Sequence, residues 1–266
     1  MSKVPFRVLV VTAHPDDMEF ACGGTLALWA ERGADITLCI ATDGSTGTQD
    51  RDLMGERLSE VRKKESRAAA DAIGIGELTW LDYRDGYVEY TLDVRRDVAR
   101  VFRRYRPHRF LVLDPTPTID DRFINHPDHR AIGQASLDVS MTAGTTPGHF
   151  PELLDEDLPP WRGLRELWIC GPGNKPRPVD ITTTIDRKIE ALKCHHSQVG
   201  ADIDEIEAFV RAFGAEAGAQ YGFEYAESFQ VISRGPGFHA GEQVEDVDFG
   251  DLESAGEGGG IRDLRA

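Results

Sequence analysis

Basic residues are scarce in this chain: 30 Lys and Arg stand against 46 Asp and Glu, a formal net charge of −16 over 266 residues. Phosphate backbones and anionic membrane surfaces are gripped by clustered Lys and Arg, so nucleic-acid and membrane partners are not expected. Acidity of this size bears mainly on solubility. Long apolar runs are lacking too; none approaches the roughly 20 residues of a membrane helix. The first apolar stretch, Val8-Leu9-Val10-Val11, is shorter than the roughly 7–15 residues of a signal-peptide core. It runs straight into a His/Asp cluster, so it reads as a buried strand, and the expected location is cytoplasmic. Cysteines number only four, Cys22, Cys39, Cys170 and Cys194, and none forms a CxxC pair. They read as small core residues, not as a disulfide framework. There is no GxGxxG after the first strand, no GxxxxGK[ST] and no GxSxG, the motifs of dinucleotide-binding, P-loop and serine-hydrolase sites.

What is present is an alternation of strand and helix signals. Strands are expected at 7–12, 35–42, 78–81 and 110–113, with late strands at 166–170 and 229–233. Helices are expected at 19–32, 55–73, 93–105, 129–141, 184–196 and 203–213, several of them stopped by Gly or Pro. Strands alternating with helices imply βαβ units. The expected fold is therefore α/β, a single Rossmann-like domain over residues 1–234 with a mostly parallel sheet flanked by helices. Residues 235–266 hold eight acidic residues against two arginines, plus many glycines. That composition cannot bury enough apolar surface to order itself, so a disordered or loosely attached tail is expected there.

Two clusters carry the chemistry. Ala13-His14-Pro15-Asp16-Asp17 follows the first strand, and Asn125-His126-Pro127-Asp128-His129 follows the strand at 110–113 after a loop. The carboxyl ends of parallel strands are where open α/β sheets bind ligands. Imidazoles and carboxylates serve as metal ligands or general bases. Each proline fixes the backbone dihedral and so presets where its neighbours point. Either cluster alone also reads as a helix start, with Asp16, Asp17 or Asp128 as a cap and Pro127 in a first turn. Two His-Pro-Asp clusters behind two predicted parallel strands are much harder to produce by chance.

On these residues the chain resembles the PIG-L/LmbE family of zinc-dependent N-deacetylases, over roughly residues 5 to 233. Further support comes from Arg62-x-x-Glu65, from Asp85-Gly86, and from Ala191-Leu192 followed by His195-x-Ser197-Gln198. The resemblance implies a divalent metal, zinc first, held by His14, Asp17 and His129. It implies Asp16 as general base and His126 on the oxyanion side, with Asp128 orienting it. The substrate it implies is a small-molecule amide, foremost an N-acetylated amino-sugar conjugate. Met18 departs from the Glu that many members carry after the Asp pair. Ile124 departs from the Tyr that some members carry two residues before this histidine.

The bottom-up chemistry agrees with the resemblance. Three protein ligands leave an open metal position for water, and His/Asp sets also accept Fe(II) or other divalent ions. The same reasoning expects His126 to be protonated when it faces the oxyanion. Three residues are candidates for substrate contact: Asp43 in the loop at 43–52, Arg62, and Asp85. Each has a blander reading, as an ordinary turn for Asp43 and Asp85 and as a solvated Arg62/Glu65 ion pair unless the helix end faces the pocket. Of the remaining histidines, His195 is expected to support the site, and His108, His149 and His239 to lie on the surface. Two rival functions stand beside deacetylation. One is an amidase of the same family acting on a larger thiol-conjugate or peptide-like amide, the other a catalytically silent sugar-binding protein. The pattern leaves open the acyl group, the metal in the cell and whether the chain forms a homo-oligomer.

Overall fold

Both faces of β1 (Arg7–Thr12) are buried, which is why its sequence is a continuous apolar run and not an alternating one. The computed structural model describes residues 4–119, 124–171, 173–200, 202–234 and 244–245. In chain order the elements are β1, α1 (Asp17–Glu31), β2 (Asp35–Thr42), α2 (Glu56–Ile73), β3 (Glu77–Tyr83), α3 (Leu92–Tyr105), β4 (Arg109–Val112) and α4 (Pro127–Asp138). After a π-helical turn at Val139–Ala143 come α5 (Glu152–Asp155), β5 (Glu166–Cys170), β6 (Pro176–Asp180), α6 (Ile185–Lys193), α7 (His196–Val199), α8 (Ile203–Ala219) and β7 (Ala226–Ser233). The strands form one sheet in the order β3-β2-β1-β4-β5-β7-β6. The first five are parallel, and β7 runs antiparallel to both β5 and β6.

Alternate residues of the strands feed two cores. Val8, Val10, Ile36, Leu38 and Ile40 pack with Trp29 of α1, Ile73 of α2 and Leu192 of α6. Leu9, Val11, Cys39, Phe110 and Val112 pack on the other face with Phe102 of α3 and Ile132 of α4. The expected single α/β domain with helices on both faces is what the chain forms. β6 was not expected: Pro176 and Pro178 argue against a strand in sequence, and the structure places them at the sheet edge, where proline is tolerated. All four cysteines are free.

One expectation changes. His108 is buried, not on the surface; its Nδ1 accepts the Arg7 backbone N–H at 3.0 Å. The tail at 235–266, with His239, falls outside the described residues except for Val244 and Glu245. Those two are attached, with Val244 bridged to Val4 and the Glu245 N–H donating to Val4 O at 2.9 Å. No helix among the described residues is long and apolar enough to cross a membrane.

Candidate metal centre

The sheet order makes β1 the turning point of the fold. The chain steps outward from β1 to β2 and β3, then returns to the other side of β1 as β4. The crevice between the carboxyl ends of β1 and β4 is the topological switch point, where open α/β sheets place their ligands. Both His-Pro-Asp clusters arrive there. The β1 cluster follows directly. The β4 cluster arrives through a loop tied by buried Asn125, whose Nδ2 donates to Asp114 O and Thr116 O, both at 2.8 Å. His126 then caps α4: its Nδ1 accepts the Asp128 backbone N–H at 3.2 Å, with Pro127 in the first turn. Gly133 docks the same helix on the end of β4, since a Cβ there would stand 2.5 Å from Leu113 O.

Three side chains converge. His14 Nδ1 is 3.1 Å from His129 Nε2, His129 Nε2 is 3.0 Å from Asp17 Oδ1, and Asp17 Oδ2 is 3.5 Å from His14 Nδ1. Donors bound at about 2.0–2.2 Å around one tetrahedral ion stand about 3.3–3.6 Å apart; the His14–His129 and His129–Asp17 separations are shorter, and the two sides at Asp17 end on different carboxylate oxygens, so a cation shared by all three groups needs them to open slightly. Asp17 is fixed by the backbone N–H groups of Ala13 and His14, at 3.0 and 2.7 Å. The far edge of His14 is also engaged, with Nε2 3.2 Å from Asp128 Oδ2 and 3.3 Å from Asp85 Oδ1. A carboxylate behind a ligating imidazole fixes its tautomer and raises its basicity. Asp128 in turn accepts from the N–H groups of Gly86 at 2.7 Å and Val88 at 3.1 Å.

The carboxylates around His14 favour positive charge at this point. Burial opposes charge on His14, yet Asp128, Asp17 and Asp85 around it raise its pKa to about 10. Burial likewise opposes charge on Asp17, but His129 and His14 hold it well below the usual carboxylate range. Asp128 is also held down, by His14 and the two backbone N–H groups, against its burial.

Asp16 is treated differently. Its backbone is left-handed, φ 97° and ψ −21°, and its side chain makes no capping bond to α1. Such a conformation costs a non-glycine residue about 1–3 kcal/mol and needs the surroundings to hold it. Arg62 does so: its Nη2 donates to Asp16 Oδ2 at 3.1 Å and to Pro15 O, and its Nη1 to Gly44 O at 3.2 Å. Burial pushes the Asp16 pKa up to about 7 against the pull of Arg62, with Asp17 adding to the rise. The general-base candidate is thus a carboxylate with raised proton affinity beside the triangle.

His126 completes the group, its ring centroid 4.6 Å from that of His14. Burial and the charge on His14 lower its pKa despite Asp128. With Nδ1 accepting from a backbone N–H, the neutral ring carries its proton on Nε2. The expected protonated His126 does not match this arrangement. Nor does Asp128 orient it by carboxylate: the contact is through the backbone N–H, and both carboxylate oxygens are engaged elsewhere.

The three proposed substrate contacts are held by the protein. Asp43 Oδ1 accepts the N–H groups of Ser45 and Asp85, at 3.0 and 3.1 Å. Asp85 Oδ2 accepts the Thr46 N–H at 3.1 Å, and its Oδ1 faces His14. Arg62 and Glu65 are both buried and do not form the solvated pair expected of them; Glu65 accepts from Ser197 N at 2.8 Å and Ser197 Oγ at 2.6 Å. Met18 is buried in the core and Ile124 is exposed. Sequence reading missed the part of Glu19, buried with its Oε1 3.0 Å from His195 Nε2. An acidic residue in a first helical turn looks ordinary in sequence, so only the His195 motif hinted at it. His195 is buried, and although burial opposes its charge, Glu19 and then Asp16 raise its pKa.

Comparisons with known proteins bear on the same residues. The sequence profile of the family described as GlcNAc-PI de-N-acetylase (PIG-L) matches residues 9–140, a span holding both clusters. A diacetylchitobiose deacetylase of Thermococcus kodakarensis is 30% identical over 85% of this chain and 83% of its own length. A 1D-myo-inositol 2-acetamido-2-deoxy-alpha-D-glucopyranoside deacetylase of Nakamurella multipartita is 33% identical over 89% of this chain and 92% of its own. The solved N,N'-diacetylchitobiose deacetylase of Pyrococcus horikoshii, complexed with its inhibitor MPG, superposes with a TM-score of 0.79. It is 30% identical, and the match covers 86% of this chain and 84% of that one.

Proposed function

Because the chain belongs to the PIG-L family of GlcNAc-PI de-N-acetylases, we propose that it hydrolyses an N-acyl group, N-acetyl foremost, from an amino-sugar conjugate. In this reading a divalent ion, zinc first and Fe(II) as the alternative, is held by His14, Asp17 and His129. Such an ion supplies Lewis acidity and makes hydroxide available near neutral pH.

The residues of the chain supply the rest. Asp16 takes the proton of the attacking water and returns it to the leaving amine; its raised proton affinity suits both steps. His126, neutral with its proton on Nε2, donates to the oxyanion that develops on the former carbonyl oxygen. Asp128 and Asp85 orient His14, while Arg62 keeps Asp16 aimed. Asp43 shapes the loop that brings Asp85 into place.

The observation that carries this reading is the division of labour between adjacent carboxylates. Asp17 links to His129 and His14, and Asp16 stands beside it with a carboxylate that makes no helix-capping bond. The test is acetate and free-amine release from N,N'-diacetylchitobiose and from a GlcNAc–inositol glycoside by metal-reconstituted protein. Stoichiometric acetate and amine from either substrate supports the reading. Protein that binds the metal yet releases neither product from any N-acyl amino sugar rules it out.

A further inference from the structure

Two motifs remain outside the chemistry above, Arg62-x-x-Glu65 and His195-x-Ser197. Their contacts, taken in turn, close a ring. Glu19 is the third residue of α1, where an acidic side chain commonly folds back to cap the helix start. Here it turns inward to His195 at 3.0 Å, and both residues are buried. His195 opens α7. The next turn is bolted to α2 by Ser197, whose N–H and Oγ donate to the two oxygens of Glu65. One turn back along α2, Arg62 grips Pro15 O and the Asp16 carboxylate at the start of α1. The path runs from α1 through α7 and α2 and returns to α1 at Asp16.

The ring is tight at its margins. A Cβ on Gly47 would lie 2.7 Å from Arg62 Nη1 and 3.1 Å from Gln198 Oε1. A buried Glu–His pair is also a poor source of stability, since apolar residues of similar volume usually serve at least as well. Its use must lie in placement. What stands at the point where the ring closes is the one strained residue of the site.

We propose that Glu19 and His195 are a positioning pair that, with Glu65, Ser197 and Arg62, locks the first turn of α1 and so holds Asp16 in its left-handed conformation beside Asp17. The inference rests on the proposed deacetylase reading for what Asp16 does, but not for where it is held.

The decisive comparison is Glu19→Ala against Glu19→Gln in the full-length, metal-loaded protein, with N,N'-diacetylchitobiose as the probe. Glu19→Ala lowers kcat about tenfold or more, as loss of a supporting partner typically does. KM stays within about threefold and one metal ion per chain is retained, because the ligands are untouched. Glu19→Gln, which keeps an acceptor for His195, recovers most of kcat. Ser197→Ala, which opens the ring on its far side, gives the same kcat loss, and the double variant is little worse than either single one. Unchanged kcat in Glu19→Ala overturns the proposal, as does a Glu19→Gln variant impaired as badly as Glu19→Ala. If Glu19→Ala does not fold, Ser197→Ala alone carries the same expectation and the same overturning result.

A crystal structure of Glu19→Ala, or of Ser197→Ala, separates this inference from the functional reading. Asp16 is expected to leave its positive φ and lose its contact with Arg62. If Asp16 is unmoved, the proposal fails, whether or not the chain is a deacetylase.

Discussion

Asp16 and Asp17 are neighbours with opposite electrostatic fates, and that contrast is the sharpest prediction at the residue scale. Two imidazoles hold Asp17 ionised, as the proposed ligand of a cation must be; burial raises Asp16 to about 7, as suits the proposed base. Asp16→Asn should bind one metal ion per chain and lose about 10²–10⁴ of kcat, whereas Asp17→Ala and His129→Ala should lose the metal itself. Metal analysis beside single-substrate kinetics distinguishes these outcomes; a metal-free Asp16→Asn would reverse the assignment. His14 gives the pH dependence. In the metal-free protein its pKa is raised from 6.5 to about 10 by the carboxylates around it. The stabilisation from its charged form is fully present below about 6.5 and lost as pH rises toward about 10. A metal must displace that proton, so metal binding should tighten with pH over the same window and release protons. Calorimetric titration in two buffers of different ionisation enthalpy measures the release; equal apparent enthalpies in both would contradict it.

Elements position the site through close backbone approach and buried ion pairs. Gly133 lets α4 sit directly on the end of β4. Gly133→Ala should force α4 outward, carrying His126 and His129 with it. The expected cost is about 1–3 kcal/mol of stability, with weaker metal retention. Thermal melts with and without metal check both parts. At the opposite end of the sheet, Glu166 joins β4, β5 and β6 by accepting from Arg109 Nε at 2.9 Å and Arg177 Nη1 at 3.1 Å. Burial opposes its charge, but Arg109, Trp168 and Arg177 hold its pKa below the usual carboxylate range. A depressed folded-state pKa adds stability that is present above the unfolded value near 4.5 and lost as pH falls below it. Glu166→Gln should therefore lower stability at pH 7 by about 1–3 kcal/mol and flatten its decline on the acid side. Urea midpoints across pH 3–7 would show parallel curves for both proteins if the pair contributed nothing.

At the scale of the whole molecule, the site is a product of connectivity. β1 and β4 are about a hundred residues apart in the chain, yet they pair in register from Val8 with Arg109 to Val11 with Val112. The two clusters meet because the strand order reverses between them. A metal that binds across this junction clamps α1 to α4 and binds the folded state alone. Saturation at a hundred times Kd should stabilise the fold by about 2.7 kcal/mol, read as a rise in Tm that a chelator reverses. A Tm indifferent to metal would mean that the two clusters do not share an ion.

Much of this was legible in the sequence. The strands β1, β2 and β4 are buried on both faces, so their apolar runs announce them. Helices α1, α2 and α3 run out at or just before Gly33, Gly74 and Pro107. The His-Pro-Asp clusters name their chemistry because few residue types can ligate a cation. β6 was hidden because its two prolines forbid a central strand and only the sheet edge admits them. The roles of Arg62, Glu65, Asp85 and Asp128 were hidden for another reason. Each is a charged residue that looks solvent-facing in a linear pattern. Whether it meets water or a buried partner depends on which helix or loop lies opposite. Composition and local pattern set the elements and the donor set of this protein. The opposite proton affinities of Asp16 and Asp17, the support of His14 by two carboxylates and the ring behind Asp16 were decided by the tertiary structure, because burial and long-range partners, not residue type, set the charge and direction of a side chain.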